Sequence, residues 1–324
     1  MTRSTSVVLL DDVSGALRGP DLELLTVART FGTVRAVAFD TPSSDALEAL
    51  AAYGVADVVH LDVDGEPHLT GVAAAALEPV VADARVLLAR ATFANKEVLA
   101  RLAHLTGAGL LIDAARVREH DGQVAGWKRV FAGTWDVDSV VTTELALLTV
   151  RPNAVRPEPA ESPAEPVVRV VPLDAAAAEA AAGGVRLVSR TLHETSGSAR
   201  PPLAEASVVV AGGRGTLGDF SPVEDLADAL GAAIGATRDA VDEGWIDHDA
   251  QVGQTGVTIT PRLYIGAGIS GAPHHRGGMQ ASEVIVAVNS DPECPIFEIC
   301  DFAVVGDLAT VLPQAAAALR ARTA

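Results

Sequence analysis

The sequence predicts an α/β protein of two parallel-sheet, three-layer domains, the second of them doubly wound. Three observations carry this. The first half alternates short apolar runs with segments of helical spacing, the pattern of strand–helix–strand units on a mostly parallel sheet. A proline-rich stretch then interrupts the pattern. Beyond it, glycine-rich loops directly follow apolar runs, which is where open parallel sheets bind ligands. The 324 residues suffice for two such cores.

The expected elements run as follows. Val7–Leu10, Val34–Phe39, Val58–Val63, Val86–Ala89 and Leu110–Asp113 read as strands. Asp21–Phe31, Ser44–Tyr53, Gly71–Ala82 and Lys96–Leu105 read as the helices between and after them. Residues 151–172 hold six of the 18 prolines and read as an extended connector. Ala175–Ala182 is of low complexity and reads as a surface helix, and Val185–Val188 as a strand candidate. The polar run 194–200 marks the domain boundary, giving domains 1–195 and 196–324. In the second, Ser207–Ala211, Val257–Ile259, Leu263–Ile265, Val284–Val288 and Ala303–Val305 read as strands. Ser221-Pro222-Val223-Glu224 has the form of a capping box with proline at the first helical position. Val223, Leu226, Ala227, Leu230 and Ile234 then keep helical spacing, and Leu308–Arg322 reads as a last helix.

Composition narrows the function. A hydrophobic share of 49% with 20% charged residues is that of a globular chain, and with only 4% aromatics the cores must be aliphatic. A formal net charge of -18 argues against nucleic acid and anionic membrane surfaces as partners. Val7–Leu10 is too short for the apolar core of a signal peptide, and no apolar run reaches the length of a membrane span, so a soluble cytoplasmic protein is expected. Cys294 and Cys300 lack the spacing of a metal site or a disulfide framework and read as reduced thiols.

Four loops of the second half concentrate the chemistry. Gly213, Gly215 and Gly218 spell GxGxxG, a weak signal alone, and the helix start at Ser221 lies too far on for a nicotinamide-type dinucleotide unit. Such a turn still presents backbone N–H groups to an anion, and Arg214 would add a charge-assisted contact, unless it is a solvated loop arginine. Arg238, in Thr237–Asp242, stands at a helix start, ordinarily a surface position. Gln251–Gly256 combines two glycines with amides and a hydroxyl, an unusual set for a plain turn. Gly268–Met279 carries His274 and His275, whose adjacency points them apart and disfavours a shared metal, leaving one imidazole to serve a ligand oxygen.

Taken together, Gly212–Gly215, Leu226–Arg238, Gln251–Gly256, Leu263–Ala272 and Val284–Asn289 strongly resemble the FAD domain of electron-transfer flavoprotein α subunits, in order and spacing, from about Val208 to Leu312. The first half is similar to the same family more loosely, including Val150–Ala154. The resemblance implies a one-electron carrier without substrate turnover, holding FAD mainly in its second domain. It also implies a β-subunit partner in a heterodimer, acyl-CoA-type flavin dehydrogenases as electron donors in fatty acid β-oxidation, and a respiratory-chain quinone oxidoreductase as acceptor.

The resemblance assigns roles too. Arg214 would sit by the FAD phosphates, Arg238 would lie against the isoalloxazine ring, and Thr237 would belong to the same cofactor site. Thr255 would hydrogen-bond near N5 of the ring, and Val252, Gly253 and Gln254 would line it. Ser270, Gly271, Ala272, Pro273, His274 and His275 would wrap the cofactor, His275 near O2 of the ring. Asn289, Asp307 and Leu308 would hold the adenosine end. Thr237 stands where the family has serine, Phe302 where it commonly has tyrosine, and Pro273 and His274 where it has an aliphatic residue and glutamine. Thr92–Lys96 departs from the family pattern in the first domain. Arg276 replaces an aliphatic residue and is expected to bring an extra positive charge close to the flavin.

Overall fold

A computed structural model describes residues 4–131, 134–191 and 200–323. The chain divides into two compact units, 1–128 with 137–193, and 129–136 with 194–324. The boundary expected near residue 195 lies outside the described residues.

In the first unit the chain runs β1 (Thr5–Leu9), α1 (Gly19–Ala28), β2 (Thr33–Ala38), α2 (Ser44–Ala52), β3 (Asp57–Val63), α3 (Thr70–Leu77), β4 (Ala84–Arg90), α4 (Phe93–Thr106) and β5 (Gly109–Ala114). There follow β6 (Arg116–His120), β7 (Gln123–Val130), β8 (Trp135–Val141), β9 (Ala146–Val150), β10 (Val167–Leu173) and α5 (Ala175–Ala182). Seven strands form one sheet in the order β10-β3-β2-β1-β4-β9-β5, parallel at every pair. Successive residues of β1 show why both faces are covered: Val8 packs into one apolar cluster with Leu24, Leu25 and Leu50, while Val7 and Leu9 pack into the other with Leu77, Leu99 and Leu102. Strands β6, β7 and β8 make a separate three-stranded sheet whose first pair is antiparallel.

The second unit continues with β11 (Val208–Gly212), α6 (Ser221–Leu230), β12 (Ala233–Ala236), α7 (Arg238–Asp242), β13 (Leu263–Ala267), α8 (Pro273–Met279), β14 (Val284–Asn289), β15 (Phe302–Val305) and α9 (Leu308–Thr323). Its parallel sheet has the order β12-β11-β13-β14-β15. Val210 faces a cluster with Val223, Leu226 and Leu312, and Val209 and Ala211 face Tyr264, Ile285 and Met279, so this sheet too is the middle of three layers. No helix among the described residues is long and apolar enough to cross a membrane.

Several expectations need correction. The proline-rich connector contains β10, which pairs with β3 over its whole length. Its Pro172 is tolerated because β10 is the edge of the sheet, where one side of the strand needs no ladder bond. Val185–Val188 is not a strand, and Val257–Ile259 makes only an isolated bridge between Val257 and Val252. Ser221 is not a cap: it is the first residue of α6, and its N–H and hydroxyl both donate to the Asp219 carboxylate. Ile234 belongs to β12, because α6 stops at Gly231 in a left-handed C-cap.

Candidate functional site

Register brings the second sheet's loops together. Gly212 pairs with both Ala236 and Ala267, Ala267 with Val288, and Asn289 with Val305, so the carboxyl ends of all five strands lie level. The strand order reverses between β11 and β13, and at such a point the loops diverge to opposite faces and leave a crevice. Thr237, directly after β12, donates its N–H to the Gly212 carbonyl at 3.0 Å, and a bridge from Ala236 to Gln251 carries the 251–256 loop to the same edge.

Two cavities open there. One, of about 280 Å³, is walled by Arg214, Gly215, Ser290, Asp291, Cys294 and Gly306–Leu308, among others. The other, of about 380 Å³, is walled by Arg238, Gln251–Thr255, Ala272, His274 and His275. Thr237, Asp239, Ile269 and Ser270 line both, so the two run together as one elongated cleft.

Glycine clears the space. A Cβ on Gly215 would stand 2.6 Å from the Cα of Gly268, and one on Gly268 would stand 2.7 Å from the Cα of Gly215. The first and fourth loops therefore meet backbone against backbone. That contact, and not a helix beginning within the run, is what the glycines serve: a single 3-10 turn, Arg214–Thr216, follows β11, and α6 starts only at Ser221.

The polar groups are arranged for an anionic, elongated ligand. Ile269 O accepts from Asn289 Nδ2 at 3.1 Å, Ser270 O lies 3.7 Å from Cys294 Sγ, and Gly271 O accepts from Arg276 Nε at 2.6 Å. In a trans peptide the N–H points opposite to the preceding carbonyl. The N–H groups of Ser270, Gly271 and Ala272 are thus turned away from those anchors, and they donate to no protein acceptor among the described residues. Arg214 pairs with Asp239 at 3.1 Å, and Arg238 with Asp242 at 3.1 Å; both pairs are exposed and so of small intrinsic worth. Thr255 Oγ1 accepts from Gln251 Nε2 at 3.0 Å, which commits the Thr255 hydroxyl hydrogen to another direction. Among the described residues no group of three or more His, Cys, Asp or Glu could hold a metal.

Comparison with known proteins now decides the family. Residues 5–176 match the electron transfer flavoprotein domain, and residues 202–280 match the electron transfer flavoprotein FAD-binding domain. The chain is 44% identical to the electron transfer flavoprotein subunit alpha of Mycobacterium leprae and 45% identical to that of Mycobacterium tuberculosis, each over 98% of both chains. It is 36% identical to the subunit of Paracoccus denitrificans over 95% of this chain and 98% of that one. The chain belongs to the electron transfer flavoprotein α-subunit family. Its cofactor is FAD, its role is electron transfer, and the alternative of a nicotinamide dehydrogenase falls.

The cleft fits FAD. Arg214, Asn289, Asp307 and Leu308 line the first cavity, Arg238, Val252, Gly253, Gln254, Thr255, Ala272, His274 and His275 line the second, and Thr237 and Ser270 line both. Two residues implied by the family resemblance do not line either. Gly271 adopts a positive φ of 80° and packs against Ile296, whose Cα a Cβ there would meet at 2.8 Å. Pro273 opens α8, fixing its first turn.

Three side chains have polar partners within the protein. His275 is buried, and its Nδ1 sits 3.1 Å from Val252 O while its Nε2 sits 2.7 Å from the Tyr264 hydroxyl. Nδ1–H therefore donates to the carbonyl and Nε2 accepts from the phenol. Burial pushes the His275 pKa down to about 4, so the ring is neutral. Asn289 donates its amide hydrogens to Ile269 O and Cys294 Sγ and so shapes the loop. Arg276 points into loop carbonyls and toward Glu298 and lines neither cavity.

Asp239, Ser290, Asp291, Cys294 and Gly306 line the cleft and were not singled out as cofactor-binding in the sequence. Asp239 carried a signal, being adjacent to Arg238 in a loop already marked. Cys294 carried none, because only the fold brings its turn against Ile269 and Ser270.

Proposed function

We propose that this chain binds FAD along the cleft with the adenosine in the first cavity, the diphosphate at the residues common to both, and the isoalloxazine ring in the second. The observation that carries this reading is the order of residues along the cleft. Asn289, Asp307 and Leu308 occupy one end, Val252–Thr255 and His274 the other, and Thr237, Ile269 and Ser270 the junction. A dinucleotide requires that order. When bound, FAD supplies one-electron redox chemistry. The protein supplies the backbone donors of Ser270–Ala272 and the cation Arg214 to the anionic stretch, and Arg238 and the Thr255 hydroxyl to the ring.

The working form is a heterodimer with an electron-transfer flavoprotein β subunit, in which residues 196–324 are the FAD domain and 1–195 the other domain of this chain. Acyl-CoA-type flavin dehydrogenases reduce it and a membrane quinone oxidoreductase oxidises it, the chain itself remaining in the cytoplasm. Support comes from the family membership and from the acidic surface implied by a net charge of -18. The test is co-expression with the β subunit. The expected product is a yellow complex with one FAD per heterodimer, while the chain alone is flavin-depleted or poorly soluble. A colourless complex overturns the cofactor reading, and a fully flavinated, monodisperse monomer overturns the partner reading.

A further inference from the structure

We propose that Arg276 is a positioning residue for the cofactor cleft, acting through the backbone of the loop Gly268–Ala272. The proposal rests on the FAD reading above and adds a residue that lines neither cavity. Arg276 is largely buried, 20% exposed at its side chain, and its guanidinium holds three groups at once. Nε donates to Gly271 O at 2.6 Å, and Nη2 donates to Pro295 O and, at 3.2 Å, to Glu298 Oε2. The two carbonyls belong to different segments, one between the cleft-lining residues Ser270 and Ala272 and one in the turn Pro295–Glu298. The guanidinium thus staples the wall to that turn, at the point where Gly271 lies against Ile296.

The consequence is local and directional. With Gly271 O pinned outward, the N–H of Ala272 must face the other way, and Asn289 and Cys294 fix the two preceding peptides in the same sense. Three donors are therefore set before a ligand arrives, which removes ordering cost from binding. A planar fork of fixed donors suits two carbonyls held in one arrangement; an ammonium can replace only part of it. The positive charge is consumed by carbonyls and by Glu298, so the residue governs retention of the cofactor and leaves its potential alone.

The test uses the full-length flavoprotein. FAD is removed and titrated back by fluorescence for wild type, Arg276→Leu, Arg276→Lys and Glu298→Gln, with urea midpoints and the flavin midpoint potential measured alongside. Arg276→Leu is expected to raise the FAD Kd roughly ten- to hundredfold, the range of a lost charge-assisted hydrogen bond. Arg276→Lys recovers part of the loss, Glu298→Gln stays near wild type because that carboxylate is exposed, and the potential does not move. A Kd within twofold of wild type in Arg276→Leu overturns the proposal. So does an affinity loss that merely tracks a fallen urea midpoint and is not recovered by lysine. Amide hydrogen exchange at His275, whose N–H donates to the Ala272 carbonyl at 2.9 Å, separates this inference from the FAD reading when measured in the FAD-free protein: faster exchange in Arg276→Leu supports the staple even if FAD fails to bind, and unchanged exchange removes it.

Discussion

Each parallel sheet has a central point at which the strand order reverses, β1/β4 in the first and β11/β13 in the second, and the two are treated in opposite ways. Between β1 and β4 of the first sheet, side chains occupy the crevice. Asp21, Arg90 and Asn95 are 1%, 7% and 6% exposed, and Asn95 donates to Asp11 at 2.8 Å and to Arg90 O at 3.1 Å. Between β11 and β13 of the second sheet, Gly215 and Gly268 remove every side chain from the same place and a cleft remains. Topology therefore supplies a crevice twice, and the residues just past the strand ends decide whether it holds a ligand or the protein's own polar groups.

The glycine contact breaks or sustains that comparison most directly. Gly215→Ala places a Cβ 2.6 Å from backbone that cannot turn aside. Overpacking of this kind costs about 1–3 kcal/mol, and backbone against backbone belongs at the upper end. FAD content should fall below half of wild type. Gly19→Ala, at the start of α1 beside the first crevice, meets nothing within 4 Å and should leave stability within about 0.5 kcal/mol, or raise it slightly. Full flavin content in Gly215→Ala would show that the cleft does not depend on this approach.

A second prediction concerns the filled crevice. Asp21 is buried, and desolvation pushes its pKa up to about 6, against an ordinary 3.8, with Arg90 opposing and Asp11 adding to the rise. Between those values the folded state keeps a proton that the unfolded state releases, so stability falls as pH rises. The contribution is complete below about 4 and gone above about 6, roughly 3 kcal/mol in all. Asp21→Asn is neutral throughout and should flatten that slope, gaining on wild type above pH 6. Urea midpoints at acid and neutral pH measure it, and parallel slopes in the two proteins would mean that Asp21 is ionised without cost.

What the sequence disclosed divides along the same line. The α/β class and the four glycine-rich loops were legible because strand–helix alternation and small residues at strand ends are local patterns. The three-stranded sheet β6-β7-β8 is not legible in the sequence, since Arg116, Arg118, Glu119 and His120 break any apolar run. Their signal was Asp121-Gly122, both with positive φ, the two-residue turn that joins a tight hairpin between His120 and Gln123. Strand β10 was hidden by the prolines before it and by its own Pro172, whose edge position only the assembled sheet reveals. The roles of His275, Asn289 and Arg276 depended on partners far along the chain: Tyr264, Cys294 with Ile269, and Pro295. Spacing in sequence carries no record of those directions.

The third prediction sharpens the electrostatics of the open crevice. Asp239 lines both cavities and holds Arg214 at 3.1 Å, so it competes with any phosphate for that guanidinium. Arg214→Ala should weaken FAD binding about tenfold, the worth of one charge-assisted contact. Asp239→Asn should tighten it severalfold and steepen its salt dependence, since a positive charge is released toward the diphosphate. Both are read from FAD titrations at low and high salt. Weaker binding in Asp239→Asn would mean that the carboxylate serves the ligand instead of opposing it.

The smallest expected effect is at Arg238, because its charge is neither buried nor alone. Its side chain is 64% exposed and its Nε sits 3.1 Å from Asp242 at the next helical turn. A reduced flavin carries negative charge, and a guanidinium nearby favours it at any working pH. At 4 Å two unit charges interact by about 4 kcal/mol at an effective dielectric of 20, but by only about 1 kcal/mol in water. The exposure and the paired carboxylate put this site near the second figure. One kcal/mol is about 40 mV for a one-electron couple. Arg238→Ala should therefore lower the flavin midpoint by a few tens of millivolts, and Arg238→Lys by less. Asp242→Asn, which uncovers the arginine, should raise it. Spectroelectrochemical titration of the three variants tests the sign as well as the size. If Asp242→Asn and Arg238→Ala shift the midpoint in the same direction, or neither shifts it beyond about 10 mV, a quarter of the Coulomb figure, then Arg238 does not face the ring.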